Sequence, residues 1–169
     1  MSKITVLLAE DHAIVRTGLC SLLEHSDDIE VFGEADNGRE AVRMSEKTAP
    51  DVVVMDISMP ELNGLEATRR IHQRCPKTRV LVLTMHEREE YVLEILRAGG
   101  AGYVIKKAVP DELVQAIRAV KNGEAYLSPA ISQKVIDDYL RRTDTAEAED
   151  PYEKLTSREK EILQLVAEG

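Results

Sequence analysis

The sequence predicts an α/β protein, a doubly wound five-stranded parallel sheet with helices on both faces. Three observations predict it. Short apolar runs recur along the chain, helix-period segments fill the gaps between them, and the βα alternation repeats five times in succession. The 169 residues allow one domain, or one domain plus a fragment, with a core that needs no covalent staples.

The first run, Ile4–Ala9 (ITVLLA), is near-continuous apolar, as are residues 52–55 (VVVM), 80–83 (VLVL) and 103–105 (YVI). Strands buried on both faces read this way. Ile29–Ala35 (IEVFGEA) alternates more and suits an edge. Helical stripes lie between them. Val15, Leu19, Leu22 and Leu23 form the first, Ala41 and Val42 begin the second, and Leu65, Thr68 and Ile71 carry the third. Val92, Ile95 and Leu96 make the fourth; Leu113, Ile117 and Val120 make the fifth. That fifth helix has Pro110 in its first turn and Gly123 just past its end, the positions each residue favours.

Beyond Gly123 the pattern changes, which sets domains at 1–123, 124–153 and 154–169. Residues 126–129 (YLSP) read as a turn, with Ser128 capping a helix that starts at Pro129 and runs to about Arg142. Residues 143–153 are acidic, hold a proline and lack Lys and Arg, so they read as a solvated linker. Thr156-Ser157-Arg158-Glu159 matches a capping box, followed by Ile162, Leu163, Leu165 and Val166. One such helix is marginal alone in water. It reads as the start of a second, all-α domain, its apolar stripe either frayed or covered by the first domain or by a neighbouring chain.

Composition excludes several functions. No run of eighteen apolar residues exists, so no membrane span is expected, and the N-terminus lacks a secretory cleavage site. A net charge of −9 and a single Phe with no Trp argue against a broad basic surface or base stacking. Two cysteines, Cys20 and Cys75, point to a reducing compartment.

The chemistry lies in what ends each strand: Glu10-Asp11 the first, Asp56 the third, Thr84 the fourth and Lys106 the fifth. Ligands of an open parallel sheet bind outside the carboxyl ends of its strands. Three carboxylates crowded on one rim repel one another, and a hard cation such as Mg²⁺ relieves that. Cation, ammonium and hydroxyl together suit a phosphoryl group. No Ser or Cys is placed as nucleophile, but a carboxylate can attack phosphorus to give an acyl phosphate, and Asp56 on a central strand is the candidate.

These segments, LLAEDH, VVVMDISMPELNGLEATRRI, VLVLT and GGAGYVIKKA, resemble the receiver domain of bacterial two-component response regulators. KLTSREKEILQLVAEG resembles the opening of the helix-turn-helix effector of the LuxR-type (NarL/FixJ) subfamily. The resemblance implies a flavodoxin-like fold with strand order 2-1-3-4-5 and a phosphoacceptor at Asp56. It implies Mg²⁺ ligation by Asp11, Asp56 and the Ser58 backbone carbonyl, with Glu10 acting through water. It gives Thr84 and Tyr103 switch roles, pairs Lys106 with the phosphoryl group, and has Pro60 and Gly64 shape the loop. Lys106 is preferred over Lys107 because it follows YVI directly. The implied partners are a sensor histidine kinase and, through an effector of which only the start is present, promoter DNA. A homodimer on phosphorylation is compatible, and the setting is cytoplasmic.

The remaining singular residues have plain readings. His12, His25, His72 and His86 share no ligand spacing and read as surface histidines, although His86 stands two residues past Thr84, where the family tunes phosphoryl lifetime. Cys20, Cys75, Met55 and Met59 read as packing residues. Two rival functions are a stand-alone receiver acting by protein contacts, and a Mg²⁺-dependent phosphatase with an aspartyl nucleophile. The latter needs a second Asp where this chain has Ser58.

Overall fold

The computed structural model describes residues 2–85, 89–145 and 157–168. His86, most of the acidic linker, Thr156 and Gly169 lie outside the described residues.

Fourteen segments alternate in order: β1 (Ile4–Ala9), α1 (Ala13–Glu24), β2 (Ile29–Ala35), α2 (Gly38–Thr48), β3 (Val52–Asp56), α3 (Gly64–Arg74), β4 (Arg79–Thr84), α4 (Glu89–Arg97), β5 (Gly102–Ile105), a 3₁₀ turn (Lys106–Ala108) and α5 (Val109–Lys121), then β6 (Tyr126–Leu127), α6 (Pro129–Thr145) and α7 (Ser157–Glu168). The sheet is parallel throughout, in the order β2-β1-β3-β4-β5-β6.

The near-continuous apolar runs are buried on both faces by strict alternation. Leu7, Val53, Met55, Val82 and Tyr103 face the side covered by α2, α3 and α4, where Ala41, Ile71 and Ile95 meet them. Val6, Leu8, Val54, Leu81 and Val104 face α1 and α5, where Leu23, Leu113 and Ile117 close the core. All five residues of β3 are buried, which makes its last residue, Asp56, a charge delivered from the middle of the molecule. Two helices are capped as their sequences ask: Asn37 and Asn63 side chains accept the backbone N–H groups of Glu40 and Glu66.

Three expectations need correction. Among the described residues the sheet has six strands, not five: Tyr126 and Leu127, read as a turn, pair with Gly102 and Tyr103. Two residues are too few to show a period, and the flanking Gly123 and Pro129 mimic turn punctuation. Ser128 does stand at the start of α6, its carbonyl accepting the Ile131 and Ser132 N–H groups, while its hydroxyl accepts the backbone N–H of Ile105 at 3.2 Å and its own N–H donates to the Tyr103 carbonyl at 3.0 Å. Val15, placed in the first buried stripe, is surface-exposed like Ile14, because the first turn of α1 stands at the rim, past the apolar face of the sheet. α6 runs three residues beyond the expected end at Arg142.

The final helix is packed. Ile162 is 1% exposed and joins the core on the α4 side with Ile131 and Val135 of α6. Glu159, expected in a capping box, is buried and meets the Arg97 guanidinium of α4 at 3.0 Å. Among the described residues no helix is long and apolar enough to cross a membrane.

Candidate functional site at the carboxyl rim of the sheet

Each candidate side chain is placed by the strand that precedes it. Glu10 follows β1 and is 1% exposed, its N–H bonded to the Ala35 carbonyl at the end of β2. Asp56 ends β3, with its backbone opposite Leu83 of β4. Thr84, fully buried, ends β4 opposite Ile105, and Lys106 follows at once in the 3₁₀ turn.

Lys106 is the hub. Its Nζ lies 2.9 Å from Glu10 Oε2 and 3.3 Å from Asp56 Oδ1, with its side chain mostly enclosed. Lys107, the rejected neighbour, points to the surface. Burial weighs against the Lys106 charge, but the close Glu10 and Asp56 carboxylates outweigh it and hold its pKa above the ordinary value. Burial, then the Glu10 charge, push the Asp56 carboxyl up, and Lys106 opposes them only in part.

Asp11 joins through a residue the sequence reading set aside. His12 Nδ1 lies 3.1 Å from Glu10 Oε1 and 3.1 Å from Asp11 Oδ1, and the His12 N–H reaches Glu10 Oε1 at 3.3 Å. The hydrogen bond to Glu10 and the Asp11 charge raise the imidazole pKa. The signal available was adjacency: α1 begins at Ala13, so the chain turns at His12 and carries the ring back over the acids. Arg16, one turn on, donates to the Glu10 carbonyl at 2.7 Å and was likewise unforeseen.

The residues suit a hard cation. The ligand atoms of Glu10, Asp11 and His12 lie within 4.8 Å of one another. Asp11 Oδ1 is buried and accepts no hydrogen bond from the described residues, and Glu10 Oε2 meets Lys106 as an ion pair without hydrogen-bond geometry. Asp56 is linked to this group through Lys106.

The loop after Asp56 is tightly folded. Met59 and Gly64 N–H groups both donate to the Ile57 carbonyl, Leu62 N–H to the Pro60 carbonyl, and Glu61 adopts φ 66°. A Cβ on Gly64 would stand 2.1 Å from the Asp56 carbonyl oxygen, so the close approach demands glycine. Ser58 is exposed on this loop and borders a groove of about 400 Å³ with Tyr91 and Ile95. Tyr103 is fully buried on the same sheet face as Val82, the face that strand alternation also gives to Thr84.

Known proteins share this arrangement. Residues 6–118 match the response regulator receiver domain. The chain is 40% identical over 167 residues to the oxygen regulatory protein NreC of Staphylococcus carnosus, covering 97% of this chain and 77% of that protein. It is 37% identical to the transcriptional regulatory protein DegU of Brevibacillus brevis, covering 99% and 76%. Among solved structures, a LuxR-family two-component response regulator from Aurantimonas is 40% identical with TM-score 0.79, over 82% of this chain and 99% of that one. RcsB of Salmonella typhimurium is 26% identical with TM-score 0.75, over all of this chain and 79% of that one. Matching sequence, fold and rim chemistry agree: this chain belongs to the response regulator receiver family, of the NarL/FixJ type.

Proposed function

We propose that Asp56 accepts a phosphoryl group from a sensor histidine kinase in the cytoplasm, and that the change is passed to promoter DNA through an effector domain beginning near residue 154. The observation that carries this reading is Lys106 Nζ bridging Glu10 and Asp56 at the end of the central strand. An Asp56 oxygen attacks phosphorus, the acyl phosphate bond forms, and the bond to the donor's leaving group breaks with its electron pair. Lys106, freed in part from Asp56, takes up charge on the transferred group, and Thr84 supplies a hydroxyl donor. Asp11, Asp56 and the Ser58 carbonyl, with Glu10 through water, would hold Mg²⁺, which when bound neutralises charge on the phosphoryl oxygens. Pro60 and Gly64 keep the loop in place, and Tyr103 answers movement of Thr84.

Two features favour this over an aspartyl phosphatase. Ser58 stands where a general acid would be needed, and the relatives are regulators. Acetyl phosphate with Mg²⁺ should add one phosphoryl group by intact mass. Asp56→Asn should add none, and chelating the metal should suppress the addition. Equal labelling of the Asn variant rejects the assignment.

A further inference from the structure

Glu10 divides its two oxygens. Oε2 faces Lys106, and Oε1 faces His12. The imidazole thus sits on the side of Glu10 away from Lys106, 3.1 Å from one oxygen of each acid. Two ligands in adjacent positions around an octahedral ion, each bonded at about 2.1 Å, stand roughly 3.0 Å apart. His12 Nδ1 already holds that spacing to Asp11 Oδ1, at 3.1 Å. Its backbone begins α1 and its N–H is tied to Glu10 Oε1, so the ring is anchored at its base, while the ring itself is 69% exposed and open to an incoming ion.

We infer that His12 is a nitrogen ligand of the acid pocket and sets its metal preference, extending it from Mg²⁺ to borderline divalent ions such as Co²⁺. The inference rests on the reading of Glu10 and Asp11 as the metal-binding pair. Mg²⁺ is hard and loses water reluctantly, so an imidazole adds little to its binding. Co²⁺ gains much from a nitrogen donor, with Asp11 beside it as an oxygen ligand and Glu10 still acting through water. Lys106 takes Oε2 of Glu10 and leaves Oε1 on the His12 side, and the buried Asp11 Oδ1 accepts no hydrogen bond from the described residues. A simple ion pair between protonated His12 and the acids shows the same distances but has no metal selectivity.

The test is calorimetric titration of the full chain with CoCl₂ and with MgCl₂, paired with proton NMR of the Co²⁺ form. The wild type should show a hyperfine-shifted imidazole resonance. His12→Ala should lose that resonance and lower Co²⁺ affinity by about tenfold or more, while Mg²⁺ affinity falls by less than about threefold. Melting curves check that this variant, altered at an exposed ring, stays folded. Asp11→Ala should weaken both metals. An unchanged ratio of Co²⁺ to Mg²⁺ affinity in His12→Ala overturns the inference and leaves the acid pocket standing, as does a shifted resonance that survives the substitution. If Asp11→Ala keeps both metals at full affinity, the acid-pocket reading fails and the inference falls with it.

Discussion

Lys106 brings one positive charge to two carboxylates, and that shortfall decides how Asp56 behaves. Glu10 is the nearer partner, at 2.9 Å against 3.3 Å. Asp56 keeps a raised pKa because burial and Glu10 outweigh the ammonium. A carboxyl raised in the fold supports stability fully below its ordinary value and loses that support as pH rises through the folded value. Asn stays neutral throughout. Asp56→Asn should therefore melt above wild type at about pH 7, and the gap should narrow as pH falls through the raised folded value and be gone by about pH 4, near the ordinary carboxyl value. A gap that widens on acidification would contradict this. Glu10, Asp56, Thr84 and Lys106 were legible in the sequence because each ends an apolar run. His12 was not, because its role depends on the reversal of the chain at the start of α1, which no periodicity reports. Cys20 was read as packing. Its thiol donates to Glu34 Oε1 at 2.8 Å, and burial, then that bond, push its pKa up to about 12, far from a reactive thiolate.

α7 is an amphipathic helix whose apolar stripe is covered by the rest of the fold. Its stripe was legible; its partner was not, since nothing in Ile162 names the α4 side of the sheet as its cover. The structure seats it there through Ile162 and the Arg97–Glu159 pair. Glu159 is 4% exposed and Arg97 half-exposed, so solvent screens the pair and its contribution is about 1 kcal/mol. Arg97→Ala should accordingly speed amide exchange across 158–168 by roughly fivefold, a factor that follows from ~1 kcal/mol of local opening. Exchange in β3 should not change. Exchange at wild-type rates across α7 would show that the apolar packing of Ile162, Leu163 and Val166 holds the helix without the ion pair.

On the scale of the whole molecule, the sequence was most informative where burial is two-sided. Strands β1, β3, β4 and β5 were found from apolar runs, and their parallel pairing follows from the helices between them. The sixth strand escaped because its evidence is spatial. Its backbone completes β5: Tyr126 N–H donates to the Ala101 carbonyl, Ser128 N–H to the Tyr103 carbonyl, and the Ser128 hydroxyl accepts from Ile105. This decides where the chain can be severed. A fragment ending at residue 123, where the composition changes, strips those partners from β5 and turns a covered strand into a bare apolar edge, a template for pairing with another copy. Three lost bonds at about 1 kcal/mol each, together with the lost burial of Ile131 and Val135, should lower the melting temperature of 1–123 by at least roughly 5–10 °C relative to 1–145. The shorter fragment should also self-associate in light scattering while the longer one stays monomeric; equal melting and equal mass would show that the edge tolerates exposure. The smallest piece that folds cleanly is thus set by the last hydrogen bond to β5 at Ser128, several residues after the change in composition.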